Sequence, residues 1–291
     1  MSESNAMNTL DYRKEEISKL LRMPEREIVA NAGKHLEVFD DCDGIHRRIA
    51  DDMADFIIAQ NAKGEASRFI LPVGPVGQYP FFLERVHKEK ISLKKCYFFY
   101  MDENADNSGC ELPVTHPLSF QGEMRQMWLD KLDPELAVED DHVYFPGRDN
   151  FAGLAEIIDS VGGIDICFGG IGVHGHIAFN EPEPEVENSD PRLVYLNDFT
   201  VTINAIRARV GGNLEGFPRK AYTLGMKQIL GAGKIRLACR NGISLDWANT
   251  VLRLTLLGQP GYDYPCTYIN QHDDFVIYTD KDTLQQPEIL L

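Results

Sequence analysis

The chain reads as an α/β protein of three layers built on a mostly parallel sheet. Two observations point there. Short apolar, β-prone runs recur along the chain, and the stretches between them carry apolar residues at helical spacing, the alternation that builds a sheet covered by helices on both faces. The 291 residues contain no internal repeat and no low-complexity linker, and hydrophobic residues at 43% with charged residues at 25% supply an ordinary globular core.

Residues 1–34 read as an N-terminal tag and helical arm. Ser4-Asn-Ala-Met7 resembles an expression remnant ahead of Met7, and the charged stretch behind it, with Leu20, Leu21 and Ile28, suits one or two outer helices. Residues 35–291 read as a single α/β catalytic domain. A weak strand at 35–39 precedes an amphipathic helix over 44–60, with Ile45, Ile49, Met53, Phe56 and Ile57 on one face. A strand at 68–71 runs into Pro72-Val-Gly-Pro-Val-Gly77, and residues 79–89 look helical. The aromatic run at 96–101 is β-prone and ends at Asp102-Glu103, a carboxylate pair that is costly at a strand end unless solvated or used.

Further on, a helix carries Met124, Met127 and Trp128, a strand spans 142–145, and Phe151, Leu154, Ile157 and Ile158 mark another helix. The buried strand at 164–168 opens the densest stretch of the chain. Residues 181–190 are acidic and proline-bearing and suit a solvated loop or lid, and 193–196 and 199–203 are strand-like. Residues 220–225 lead to a short helix at 226–230, a strand spans 235–239, Ile243, Trp247, Val251 and Leu254 give a long helix, and 275–279 is the last strand. Right-handed crossovers then bring Asp102, the 72–78 loop, the 169–181 loop and Arg240 to the carboxyl ends of strands, where open α/β sheets bind ligands.

The 169–181 loop carries four glycines (Gly169, Gly170, Gly172, Gly175), two imidazoles (His174, His176) and Glu181 before Pro182. Gly170 to Gly175 formally fits G-x-G-x-x-G. That fingerprint requires its last glycine to open a helix, and Pro182 and Pro184 follow too soon. A merely solvated turn is the plain alternative, and His174-x-His176 with Glu181 would also suit metal ligands. The reading preferred here is proton transfer: Asp102 as base, and His176 and Glu181 as a coupled acid–base and orienting pair beside His174, the minimum for aldose–ketose chemistry or sugar ring opening.

Six scattered cysteines form no C-x-x-C pair. Cys96, Cys167 and Cys239 lie in apolar runs as reduced thiols, and neither a signal peptide nor an eighteen-residue apolar run is present, so a cytoplasmic protein without membrane contact is expected. A net charge of −16 argues against nucleic acid and repels anionic metabolites at long range. A phosphate site must therefore be built locally from backbone N–H groups and a few cations.

Three stretches resemble the glucosamine-6-phosphate deaminase (isomerase) family, in the superfamily of 6-phosphogluconolactonase: Tyr100-Met-Asp102-Glu103 followed by His116-Pro-x-Ser119-Phe120; Gly169-Gly-Ile-Gly172 through Gly175-His176-Ile-Ala-Phe-Asn180-Glu181-Pro182; and the loop after Leu71. The resemblance spans roughly residues 35–285. It implies a Rossmann-like fold, an amino sugar phosphate as substrate, no cofactor, no metal, and a homo-oligomer. It implies that Asp102 abstracts the C2 proton, that His176 handles protons at the sugar oxygen, and that Glu181 supports it. Gly74, Pro75, Val76, Gly77, Glu103, Gly170, Gly172, Gly175, Arg207 and Arg240 would then contact substrate. The chain departs from the pattern in three places. His174 stands where the family has Asp, Val73-Gly-Pro-Val76 lacks the hydroxyls of the family's phosphate loop, and no Lys lies between Lys234 and Lys281, which leaves Arg240 as a substitute in a different register. A sugar-phosphate sensor without turnover and a sugar lactonase are the alternatives these departures leave open.

Overall fold

A computed structural model describes residues 3–242 and 246–291, with side chains from Tyr12 onward. Ser4–Met7 form part of the first helix, and Ile243 lies outside the described residues.

The elements follow in order: α1 (Glu3–Arg22), α2 (Glu25–Ala32), β1 (Leu36–Phe39), α3 (Cys42–Lys63), β2 (Ser67–Leu71), α4 (Gln78–Glu89), β3 (Cys96–Tyr100), β4 (Asp102–Ala105), α5 (Phe120–Met127), β5 (Val143–Tyr144), α6 (Leu154–Ser160), β6 (Ile166–Gly170), β7 (Arg192–Tyr195), α7 (Asp198–Arg207), β8 (Lys220–Thr223), α8 (Met226–Leu230), β9 (Lys234–Ala238), α9 (Ala248–Leu257), β10 (Phe275–Asp280) and α10 (Lys281–Leu284). Seven strands make one parallel sheet in the order β1-β10-β9-β6-β2-β3-β5. A second, antiparallel sheet has the order β4-β8-β7.

β3, β6 and β10 read as near-continuous apolar runs because both faces are covered. Successive side chains point to opposite faces. Ile70, Phe99, Cys167 and Leu237 enter one core with Ile28 of α2, Leu154 and Ile158 of α6, and Val251 and Leu252 of α9. Phe69, Leu71, Phe98, Tyr100 and Phe168 enter the other with Ile45, Ile49 and Met53 of α3, Tyr79 and Phe82 of α4, and Met124 of α5. These are the three layers the alternation implied.

The expected strand at 199–203 is the first turn and a half of α7. Its β-branched residues Thr200, Val201, Thr202 and Ile203 favour strands locally. The helix wins because Asn197 caps it, accepting from Phe199 N and Thr200 N, and because Val201 and Ala205, one turn apart, enter a third core with Phe179, Leu196, Phe217 and Ala221. The 181–190 segment is only partly solvated. Val186 is fully buried in a short 3-10 turn, and Arg192 reaches back to Asn180 and Glu183. Residues 220–223, expected only as a lead-in, form the middle strand of the second sheet. All six cysteines are free, and no described helix is long and apolar enough to cross a membrane.

Candidate active site

Four loops meet at the carboxyl edge of the parallel sheet. β2 delivers residues 72–77, β3 delivers Met101 and Asp102, β6 delivers the 171–181 loop, and β9 ends before Arg240. The first three close around a cleft of about 410 Å³. It is lined by Gly74 and Val76, Asp102 and Asn104, Gly170, Gly172 and His176, and by Asn204 and Arg207 from α7, with Phe120, Phe179 and Phe217 as apolar wall. The second sheet and α7 form its roof. A volume of this order suits one small ligand.

Asp102 is 8% exposed at the cleft, where β3 gives way to β4. Burial, reinforced by the neighbouring Glu103 charge, pushes its carboxyl up to about 8. Glu103 turns away from the cleft. It accepts hydrogen bonds from the N–H groups of Asn104, Phe120 and Gln121 and from the Ser119 hydroxyl, which seats it at the amino end of α5. Burial still raises it to about 7, because desolvation outweighs these four donors. The two adjacent carboxyls thus divide their work: one holds the backbone and the other faces the cavity.

His176 lies across the glycine loop. A Cβ on Gly172 would stand 1.9 Å from His176 Nε2, so only glycine lets the imidazole fold back against the strand end. Burial pushes His176 down to about 3, helped by His174 and Arg207. It is therefore neutral, a form that can donate at one nitrogen and accept at the other. Among the described residues its Nδ1 is buried without a hydrogen-bond partner.

No hydrogen bond joins His176 to Glu181 among the described residues. Instead Glu181 accepts from the Asn197 N–H at 2.8 Å, at the amino end of α7, although burial still raises its pKa. His174 Nδ1 lies 3.3 Å from the Asn197 side-chain amide, and the two imidazole rings are 6.5 Å apart. His174 and Glu181 line a second cavity of about 960 Å³, behind the loop and against α1. The same loop thus faces two spaces.

The remaining expected contacts divide similarly. Gly74, Val76, Gly170, Gly172 and Arg207 line the cleft. Pro75 lies behind Gly170, whose added Cβ would come 2.8 Å from the proline ring. Gly77 caps α4 at its amino end, and Gly175 packs beside Cys266. The Arg240 guanidinium turns to the Asn241 carbonyl, outside the cleft wall. It is near enough to add to the desolvation that lowers Arg207. Sequence reasoning missed Asn104, Glu123 and Asn204. Asn204 sits one turn before Arg207 and shares its face, a spacing visible once 198–207 is read as a helix. No group of three or more His, Cys, Asp or Glu side chains could hold a metal among the described residues.

No family model matches the chain. It is similar to glucosamine-6-phosphate deaminases: 27% identical over 210 residues to that of Mycoplasma mycoides, covering 71% of this chain and 79% of the relative. Against that of Clostridium botulinum strain Loch Maree it is 29% identical over 216 residues, 72% of this chain and 81% of the relative. Among solved structures, a monomeric glucosamine-6-phosphate deaminase of the NagB superfamily superimposes with a TM-score of 0.74 at 23% identity, covering 85% of this chain and 98% of that one. The 6-phosphogluconolactonase of Shewanella baltica gives 0.57 at 17% identity, with coverage of 84% and 97%. The chain thus resembles the glucosamine-6-phosphate deaminases in sequence over most of its length, and it shares one fold with them and with the 6-phosphogluconolactonases.

Proposed function

We propose that the cleft performs aldose–ketose proton transfer on an amino sugar phosphate, with release of the amine as ammonia. The observation that carries this is the placement of a buried carboxyl, Asp102, and a buried neutral imidazole, His176, on one small cavity that Arg207 also lines. Asp102 takes the C2 proton of the open-chain sugar and returns it to C1. That converts the amino aldose to a ketimine, which water hydrolyses to the ketose and ammonia. His176 exchanges a proton with the ring oxygen and O1. Arg207 pairs with the phosphate, a task for which a planar guanidinium is well suited.

The raised Asp102 value fits an amino substrate in particular. With the cleft empty the carboxyl holds its proton at neutral pH. A substrate ammonium placed beside it favours the carboxylate, so the base forms where it is needed. The relatives named for this reaction support the same reading.

The test is ammonia release from glucosamine 6-phosphate, with His176→Gln alongside. Release by the parent protein that falls at least about a hundredfold in the variant is expected for loss of a general acid–base group. Absence of release from folded parent protein rejects the reading.

A further inference from the structure

Among the described residues, Asn197 is the one that hydrogen-bonds to both His174 and Glu181 while capping α7. Four of its contacts fix its side-chain chemistry. The backbone N–H donates to Glu181 Oε2 at 2.8 Å. The side-chain Oδ1 accepts from Phe199 N and Thr200 N, each at 3.0 Å. Two donors on that oxygen identify it as the carbonyl, so the atom facing His174 Nδ1 at 3.3 Å is the amide nitrogen, which only donates. His174 Nδ1 must then accept, and a neutral imidazole that accepts at Nδ1 carries its proton on Nε2. Phe199, the next residue but one, holds the same ring edge to face at 4.7 Å.

We propose that Asn197 is a positioning residue that sets the Nε2–H tautomer of His174 and, through α7, ties the acid–base loop to the end of the cleft that carries Arg207. The helix is ten residues long, about 15 Å at 1.5 Å per residue. Its amino end meets His174 and Glu181, and its carboxyl-terminal turns bring Asn204 and Arg207 to the cleft. Where the resembling family has a carboxylate, this chain has His174. An imidazole beside a second imidazole needs its proton placed, and the Asn197 amide does that without adding charge. The consequence for turnover rests on the proposed function; the hydrogen-bond arrangement does not.

Asn197→Asp separates the two roles. A carboxylate still caps α7, but it cannot donate to Nδ1 and draws a proton there instead. Long-range ¹H–¹⁵N NMR of the ring nitrogens reads the tautomer, with the His174 signals identified by their loss in His174→Gln. The parent is expected to show the Nε2–H form, and Asn197→Asp the Nδ1–H or doubly protonated form, with a thermal midpoint within a few degrees of the parent. In turnover, kcat falls roughly tenfold to a hundredfold and KM stays within about threefold, as for other residues that orient a reacting group. An Nδ1–H parent, a tautomer unchanged in the variant, or unchanged kcat with a switched tautomer each overturns the proposal. If the parent releases no ammonia, the functional reading fails, and the NMR arm still decides the link between Asn197 and His174.

Discussion

Asp102 and Glu103 are neighbours in sequence with opposite surroundings. Glu103 has four hydrogen-bond donors, and Asp102 has none among the described bonds. For Asp102 this has two pH consequences. As the proposed base in the free protein, it is expected to make kcat/KM rise with pH and level off above about 8, a profile that steady-state rates between pH 6 and 9.5 would check. In folding, its value lies above that of the unfolded chain, near 4. The stability it contributes is therefore complete below about pH 4 and is lost as pH rises to about 8. Asp102→Asn is expected to abolish exchange of the C2 proton in deuterated water while retaining ligand binding. It should also stabilise the fold at pH 9 by on the order of 3 kcal/mol, read by denaturant unfolding. An unchanged exchange rate would remove Asp102 from the base role.

At the scale of elements, the glycine loop after β6 shows how close packing builds the site. Gly172 leaves room for the His176 ring, and Gly170 leaves room for Pro75 of the neighbouring loop. Gly172→Ala forces the imidazole out of its place. Overpacking of this kind costs about 1–3 kcal/mol, which unfolding would measure, and displacement of the proposed acid–base group should lower kcat at least about a hundredfold. A variant with parental kcat would show that His176 works from elsewhere. The glycine, histidine and carboxylate content of this loop was legible in the sequence, as was its position at a strand end. The division of its side chains between two cavities was not. Periodicity places a residue on a strand or a loop, but Glu181 faces Asn197 because α7 packs there, sixteen residues further along. The same contact explains the misread strand at 199–203, whose residues satisfy local β preference and are overruled by a cap and a third core.

Across the whole molecule, a net charge of −16 surrounds a cleft proposed to take an anion. Repulsion acts over the Debye length, about 10 Å at 0.1 M salt, whereas the contact with Arg207 is local. Raising ionic strength from about 0.02 to 0.2 M is therefore expected to increase kcat/KM for a phosphorylated substrate severalfold through faster association, with kcat little changed. A fall in kcat/KM over that range would mean that local attraction governs capture. The seven-stranded sheet also explains why three distant segments share one site: parallel order places the ends of β2, β3 and β6 on one edge.

The sequence by itself determined the layered α/β class, the location of most parallel strands, and the loops that would carry chemistry. Those features follow from local apolar periodicity and from glycine and proline, which act within a few residues. Only the tertiary structure decided the antiparallel sheet that roofs the cleft, the helical state of 198–207, the turn of Glu103 and Glu181 toward helix ends, and the position of Arg240 outside the cleft wall. Each depends on which groups, far apart in the chain, are left to satisfy a buried charge or an unpaired N–H. That balance is struck only when the layers pack.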